Sequence, residues 1–295
     1  MSSYVYKTTR RGVLLAKTVS YQVRLCSGNF RHLEVLKDEN NVAIVTMKRA
    51  PVNSLNTELL TEISSVLTDL EETKCSGMIL TSFSDKVFCS GLDIYEIFKS
   101  KPSAIGTSFS TLLEVFIKLY GSTFPTVAAI TGHAPGSGCF LSMSCEYRIM
   151  VQNFRIGLNE TLLGFRAPLP FVKLMLNTID HRNAELALTS GRLFSTNEAL
   201  QVGLIDEMAK DRADAFDKAN YFLNQLKMRP PIARHFTKQS MRGALLQDIS
   251  INREMYVEDH VSLLLQPNIR QLITVYMANI KNKKNSKDTR TTPVP

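Results

Sequence analysis

Glu160 is the residue whose setting could do chemistry. It lies in Ile156-Gly157-Leu158-Asn159-Glu160-Thr161-Leu162-Leu163-Gly164, an apolar stretch between two glycines with one carboxylate near its middle. A carboxylate kept from water is raised in pKa and becomes a stronger base once ionised. The same residue type also serves as an ordinary helix-start acid, and the stretch alone leaves both roles open. Two further segments bear on the choice. Val87-Phe88-Cys89-Ser90-Gly91-Leu92-Asp93-Ile94 carries a glycine where the backbone can turn sharply and a ligand can approach it. Gly132-His133-Ala134-Pro135-Gly136-Ser137-Gly138-Cys139 is a glycine-rich turn ahead of an apolar helix expected from about Cys139 to Cys145. Such a turn presents unpaired N–H groups and the positive end of the helix dipole. Paired N–H donors can hold an oxyanion while a carboxylate moves a proton.

Strands and helices must carry these segments. Leu33 and Val35, then Val42 to Met47, alternate as strands around the turn Asp38-Glu39-Asn40-Asn41, which predicts a hairpin. Asn56 is placed to cap a helix whose apolar residues Leu59, Leu60, Ile63, Val66, Leu67 and Leu70 recur at helical spacing. Met78 to Thr81 reads as a buried strand, Ile105 to Tyr120 as a helix with one apolar face, and Thr126 to Thr131 and Tyr147 to Val151 as two more strands. This alternation predicts an α/β layered core. After Gly164 the pattern turns helical: Phe171–Asn177, Ala184–Ser190, Thr196–Gln201, Ala213–Leu226, Ile232–Leu246 and Ile249–Ile280, broken by Pro230-Pro231 and Pro267. The apolar end from Leu263 to Tyr276 must fold back on the core or meet another subunit. The expected organisation is a leader over 1–30, a core over 31–200 that holds the site, a helical region over 201–280 and a disordered polar tail over 281–295.

Composition narrows the class. At 44% hydrophobic and 21% charged residues the chain reads as globular, and no apolar run reaches the roughly 20 residues of a membrane span. Of the net charge of +8, residues 1–30 supply five through Lys7, Arg10, Arg11, Lys17 and Arg24, and the tail from Lys281 to Arg290 supplies four. The body between is slightly negative, which argues against a nucleic-acid groove. The acid-free basic leader reads as a mitochondrial transit peptide, removed near Cys26 to Phe30; the alternative is a plain disordered leader. The C-terminus is not a Ser-Lys-Leu signal. The five cysteines lack metal-type spacing with histidine and read as free thiols in a reducing compartment. Cys89 and Cys139 read as buried small residues, Asp93 as an acceptor ordering its own loop, and His133, His181, His235 and His260 as scattered packing or surface residues.

The three segments together resemble the crotonase (enoyl-CoA hydratase/isomerase) superfamily. Phe88-Cys89-Ser90-Gly91-Leu92-Asp93, Ala134-Pro135-Gly136-Ser137-Gly138-Cys139 and Ile156 to Gly164 carry the likeness. Within it, Cys145-Glu146-Tyr147-Arg148-Ile149, Asn177-Thr178-Ile179, His181-Arg182 and Ala199-Leu200-Gln201-Val202-Gly203 look most like its mitochondrial delta-isomerase branch, over about residues 31 to 280. The resemblance implies a spiral of ββα units with a C-terminal helical trimerisation region, an enoyl-CoA substrate and a homotrimer in the mitochondrial matrix. It implies backbone N–H groups of Leu92 and Ser137 as the oxyanion hole, Ser90, Gly91, Leu92, Asp93, Ile94 and Ser137 along the acyl-CoA path, and Glu160 as the catalytic acid–base. Ser137 stands where the family usually has glycine, and Phe165-Arg166 where small or aliphatic residues are usual; that leaves room for a charge near the pocket, although Arg166 reads more readily as a surface residue than as a phosphate clamp. The hydratases use a second glutamate at the position of Phe140. Hydration needs one group to activate water and another to protonate carbon, whereas moving a double bond needs one base. The resemblance therefore implies isomerisation of 3-enoyl-CoA to the 2-trans isomer in β-oxidation of unsaturated fatty acids, with no metal or redox cofactor beyond the CoA of the substrate. Weak hydration, or a silent acyl-CoA-binding paralogue, are the alternatives. Leu158, Leu162 and Leu163 are the neighbours expected to raise the pKa of Glu160.

Overall fold

A computed structural model describes residues 30–99 and 101–288. The expected transit peptide falls on residues outside that range, apart from Phe30. In the body, β1 (Leu33–Lys37) runs antiparallel to β2 (Val42–Met47). Asp38 makes the turn, its carboxylate accepting from the Asn40 and Val42 N–H groups at 2.9 and 2.8 Å. α1 (Thr57–Glu72) follows, capped as expected by Asn56, which accepts from the Leu59 N–H at 3.0 Å.

The chain then alternates. β3 (Gly77–Ser82) leads through α2 (Ile94–Lys99) and α3 (Pro102–Gly121) to β4 (Thr126–Ile130). β5 (Ala134–Pro135) and α4 (Ser137–Ser144) lead to β6 (Tyr147–Val151) and β7 (Arg155–Gly157). After a 3-10 turn over Glu160–Leu163 come α5 (Leu169–Leu176), α6 (His181–Ser190), β8 (Phe194–Ser195), α7 (Thr196–Gln201), β9 (Glu207–Ala209) and α8 (Arg212–Leu226). The main sheet has the order β1-β2-β3-β4-β6-β9, parallel except for the β1–β2 pair; β5, β7 and β8 form a second small sheet.

Both faces of the main sheet are covered, which is why its strands read as continuous apolar runs. Met78, Leu80, Ala128, Ile130 and Met150 face the large core filled by α1 and α3. Ile79, Val127, Ala129, Ile149 and Val151 face the other way, against Ala215, Ala219 and Leu223 of α8. This is the period-two alternation of a strand with two buried faces. Because β3 and β4 are parallel neighbours, the loops leaving their C-terminal ends lie side by side. Ligand sites in open α/β sheets form in that place.

α9 (Pro231–Ile251), α10 (Arg253–Leu265) and α11 (Pro267–Asp288) complete the chain described. Lys238 on α9 is buried, and its Nζ donates to the Ser122 carbonyl at 2.6 Å and to Glu146 Oε1 at 2.8 Å; Arg234 pairs with the same carboxylate. Pairing makes these buried charges tolerable. The apolar C-terminal run folds back on its own core: Leu264, Ile269 and Ile273 cluster with Ile105 of α3. Helix continues to Asp288, past the boundary expected at Lys281. No proline or glycine interrupts that stretch, and extending a helix is far easier than starting one.

Candidate active site

Three segments converge on one pocket between the sheet and the α10–α11 roof. The first is the loop after β3. Asn53 is buried, and its side-chain amide donates to Ser82 Oγ at 2.8 Å and to the Phe88 carbonyl at 3.0 Å. The Ser90 N–H donates to the Val52 carbonyl, the Leu55 N–H to the Gly91 carbonyl, and the Asp93 N–H to the Leu55 carbonyl, at 3.1, 2.8 and 3.0 Å. These bonds fix the loop on both sides of Leu92. Gly91 sits at φ +91, in the region that disfavours a side chain. The Leu92 N–H donates to no protein acceptor among the described residues.

The second segment follows β4. Its Gly136 N–H donates to the Gly157 carbonyl at 2.8 Å, and β5 pairs with β7. Gly138 is required by close approach: a Cβ there would lie 2.2 Å from the Cys89 carbonyl oxygen. This contact presses the two loops together. α4 begins at Ser137, two residues earlier than the sequence predicts, so the Ser137 N–H is a first-turn donor with no intrahelical partner. A Cβ on Gly91 would lie 3.3 Å from that nitrogen, so the two candidate donor loops are in contact.

The third segment carries Glu160. It opens the 3-10 turn and is therefore a helix-start residue, but it is also 6% exposed and turned inward. A Cβ on Gly136 would lie 3.3 Å from Glu160 Oε1, which places the carboxylate against the second loop. Oε2 is buried with no hydrogen-bond partner among the described residues. Burial pushes the Glu160 carboxyl up to about 7, partly offset by a bond from its own backbone. The shielding comes from a different set of residues than the sequence predicts. Leu158 is buried and Leu163 lines the pocket, but Leu162 is 65% exposed. Phe165, Phe171, Leu264 and Ile273 complete the apolar lining, the last two from the C-terminal helices.

Of the expected path residues, Ser90, Gly91, Leu92, Ile94 and Ser137 line this pocket with Glu160. Asp93 does not. Its carboxylate pairs with Arg49 at 2.8 Å and accepts from the Tyr95 and Glu96 N–H groups at 3.1 and 3.2 Å, which caps α2. Arg166 is likewise turned away, exposed and paired with Asp259 of α10. Phe140 is fully buried, stacked on Phe116 and Phe171 with centroids at 5.2 and 4.1 Å. Cys89 and Cys139 are buried, and burial pushes both thiols up, Cys89 to about 12. They are packing groups, not nucleophiles. Sequence reasoning missed Arg49 and Asn53, which hold the first loop, and His260, which lines the pocket from α10. The hydrogen-bonding types Arg and Asn just before the Asn56 cap were the signal available. For His260 the sequence holds no such signal.

Residues 37–282 match the family model described as enoyl-CoA hydratase/isomerase. The mitochondrial enoyl-CoA delta isomerase 1 of Mus musculus is 36% identical over 259 residues, covering 87% of this chain and 89% of that protein. The Homo sapiens protein of the same name is 37% identical over 246 residues, covering 82% and 81%. The crystal structure of human mitochondrial delta3-delta2-enoyl-CoA isomerase superposes with a TM-score of 0.83 at 36% identity, covering 86% of this chain and all of that one.

Proposed function

The chain belongs to the enoyl-CoA hydratase/isomerase family, and on that premise we propose that it is an enoyl-CoA delta isomerase. It moves the double bond of a 3-enoyl-CoA to the 2-trans position, with Glu160 as the single acid–base. Glu160 takes a proton from carbon 2. The electron pair left behind delocalises through the double bond into the thioester, giving a dienolate whose charge rests on the thioester oxygen. The Leu92 and Ser137 N–H groups receive that oxygen. Glu160 then returns the proton to carbon 4, and the double bond settles between carbons 2 and 3. Removing one donor from such a pair typically lowers the rate about 100- to 1,000-fold.

One observation carries the reading: among the described residues, a buried, unpartnered carboxylate oxygen shares an apolar pocket with two unpaired backbone N–H groups. Phe140 supports it as well. Where a hydratase of the family has its second glutamate, this chain has a ring buried between two others. The enzyme acts in the mitochondrion, as its named relatives do, on unsaturated acyl-CoA entering β-oxidation. CoA arrives with the substrate. The active assembly is a homotrimer, supported by exposed apolar side chains on α8 and α9, among them Tyr221, Ile232, Phe236 and Met241. The test is product identity. A 3-enoyl-CoA incubated with the purified protein yields the 2-trans isomer and stops there. A 3-hydroxyacyl-CoA as the main product would instead make the protein a hydratase.

A further inference from the structure

Three serines lie on α4, and only two of them use their hydroxyls on the helix itself. Ser142 and Ser144 donate through Oγ to the Cys139 and Phe140 carbonyls, at 2.8 Å each. Ser137 opens the helix, so it has no preceding turn to bond. Its Oγ makes no hydrogen bond among the described residues. Nor is that oxygen closed off in protein as Glu160 Oε2 is, so it opens on the pocket that Ser137 lines. The residue as a whole is 4% exposed. Ser90, Asn159 and Tyr276 line the same pocket with polar groups, but all three are partly exposed and stay within reach of bulk water.

Two acceptors compete for such a hydroxyl. One is Glu160, whose Oε1 lies beside Gly136. The hydroxyl does not serve it: Oε2 has no partner among the described residues, and the bond that holds the carboxyl's pKa down comes from its own backbone. The other is whatever oxygen the Leu92 and Ser137 N–H groups hold. N and Oγ of one serine are three bonds apart, and in a gauche rotamer both can reach one acceptor. The usual obstacle to such rotamers in a helix is the preceding turn, which a first residue lacks. The reacting end of an enoyl-CoA offers carbon, a thioester sulfur and one strong acceptor, the thioester oxygen. An acyl chain that expels water from the apolar walls leaves the hydroxyl that oxygen, and a buried donor left unmet is unfavourable.

We propose that the Ser137 hydroxyl is a third hydrogen-bond donor to the thioester oxygen, so that Ser137 is a catalytic residue through its side chain as well as its backbone. The proposal rests on that oxygen lying at the Leu92 and Ser137 N–H groups, as the isomerase reading has it. A hydrogen bond to a charged acceptor is stronger than one to a neutral acceptor. The hydroxyl therefore favours the dienolate over the ground-state thioester, which speeds proton abstraction rather than only tightening binding.

A 3-ketoacyl-CoA reads this directly, because its enolate places charge on the thioester oxygen and absorbs in the near ultraviolet. Acetoacetyl-CoA is bound to the full protein, and the pH at which the enolate band rises is compared for wild type, Ser137→Ala and Ser137→Gly. Both substitutions keep the backbone N–H and remove only the side-chain donor. Each raises that pH by about one unit, a tenfold loss of enolate, and lowers kcat on a 3-enoyl-CoA about tenfold. Affinity for butyryl-CoA, which carries no charge there, changes far less. The bend in the kcat/KM profile stays at the wild-type pH. The same enolisation pH in all three proteins overturns the proposal, as does a wild type that gives no enolate band. A bend that moves upward in the variants overturns it too, because the hydroxyl would then serve Glu160. Two substitutions of one small residue guard against either failing to fold. The expected shift without 3-enoyl-CoA turnover would leave this proposal standing while the isomerase reading fell.

Discussion

Glu160 carries two opposed consequences of one cause. Burial raises its carboxyl to about 7, so the ionised base is present only above that pH. The rate of isomerisation, measured as kcat/KM, should fall about tenfold per pH unit below 7 and level off above it. A profile flat down to pH 5 would remove Glu160 as the base. Stability runs in the opposite sense. The folded-state value lies above the value of 4.5 for a free carboxyl, so the folded chain holds an extra proton between those limits. Stability from this group is complete below about 4.5 and is lost as pH rises through 7, by at most about 3 kcal/mol. Glu160→Gln cannot ionise, so its melting temperature relative to wild type should rise between pH 5 and pH 8. A constant difference would mean that the carboxylate is not desolvated.

At the scale of elements, two loops and a short turn are held in register by close backbone contact. Gly138 is the tightest point, with no room for a Cβ beside the Cys89 carbonyl. Gly138→Ala should destabilise the fold by about 2–4 kcal/mol, seen in denaturant melts, and lower kcat by separating the donor loops. Asn56→Ala removes only a helix cap, costing about 1 kcal/mol with activity unchanged. The elements behind these contacts were unequally legible in sequence. β2, β3, β4 and β6 announce themselves as buried apolar runs, and α1 by its spacing and cap. β5, β7 and β8 have two or three residues each, too few for any periodicity to show. The three segments that line the pocket were legible because glycines and a lone acid stand out locally. Leu162 was misjudged because consecutive residues of a 3-10 turn point about 120° apart, so Leu163 faces the pocket while Leu162 faces outward.

At the scale of the whole molecule, the C-terminal helices decide what the site sees. α10 and α11 return over the pocket and bring Leu264, Ile273 and His260 to it from about a hundred residues beyond Glu160. No local pattern encodes such a contact, which is why His260 read as a scattered residue, whereas Arg166 lies at the surface as its sequence reading favoured. The ion pair of Arg166 with Asp259 fastens this roof to the segment that carries Glu160. The exposed apolar side chains of α8 and α9 have no cover among the described residues. Sedimentation of the purified protein should therefore give a trimeric mass; a monomer at micromolar concentration would contradict the assembly. The central claim rests on one carboxylate, and one comparison reaches it most directly. Wild type and Glu160→Gln are assayed on the same 3-enoyl-CoA, with acyl-CoA affinity and melting temperature measured alongside. The account predicts a fall in kcat of about 1,000-fold or more, with binding and folding kept. A folded, substrate-binding Glu160→Gln that retains kcat within tenfold of wild type would contradict it.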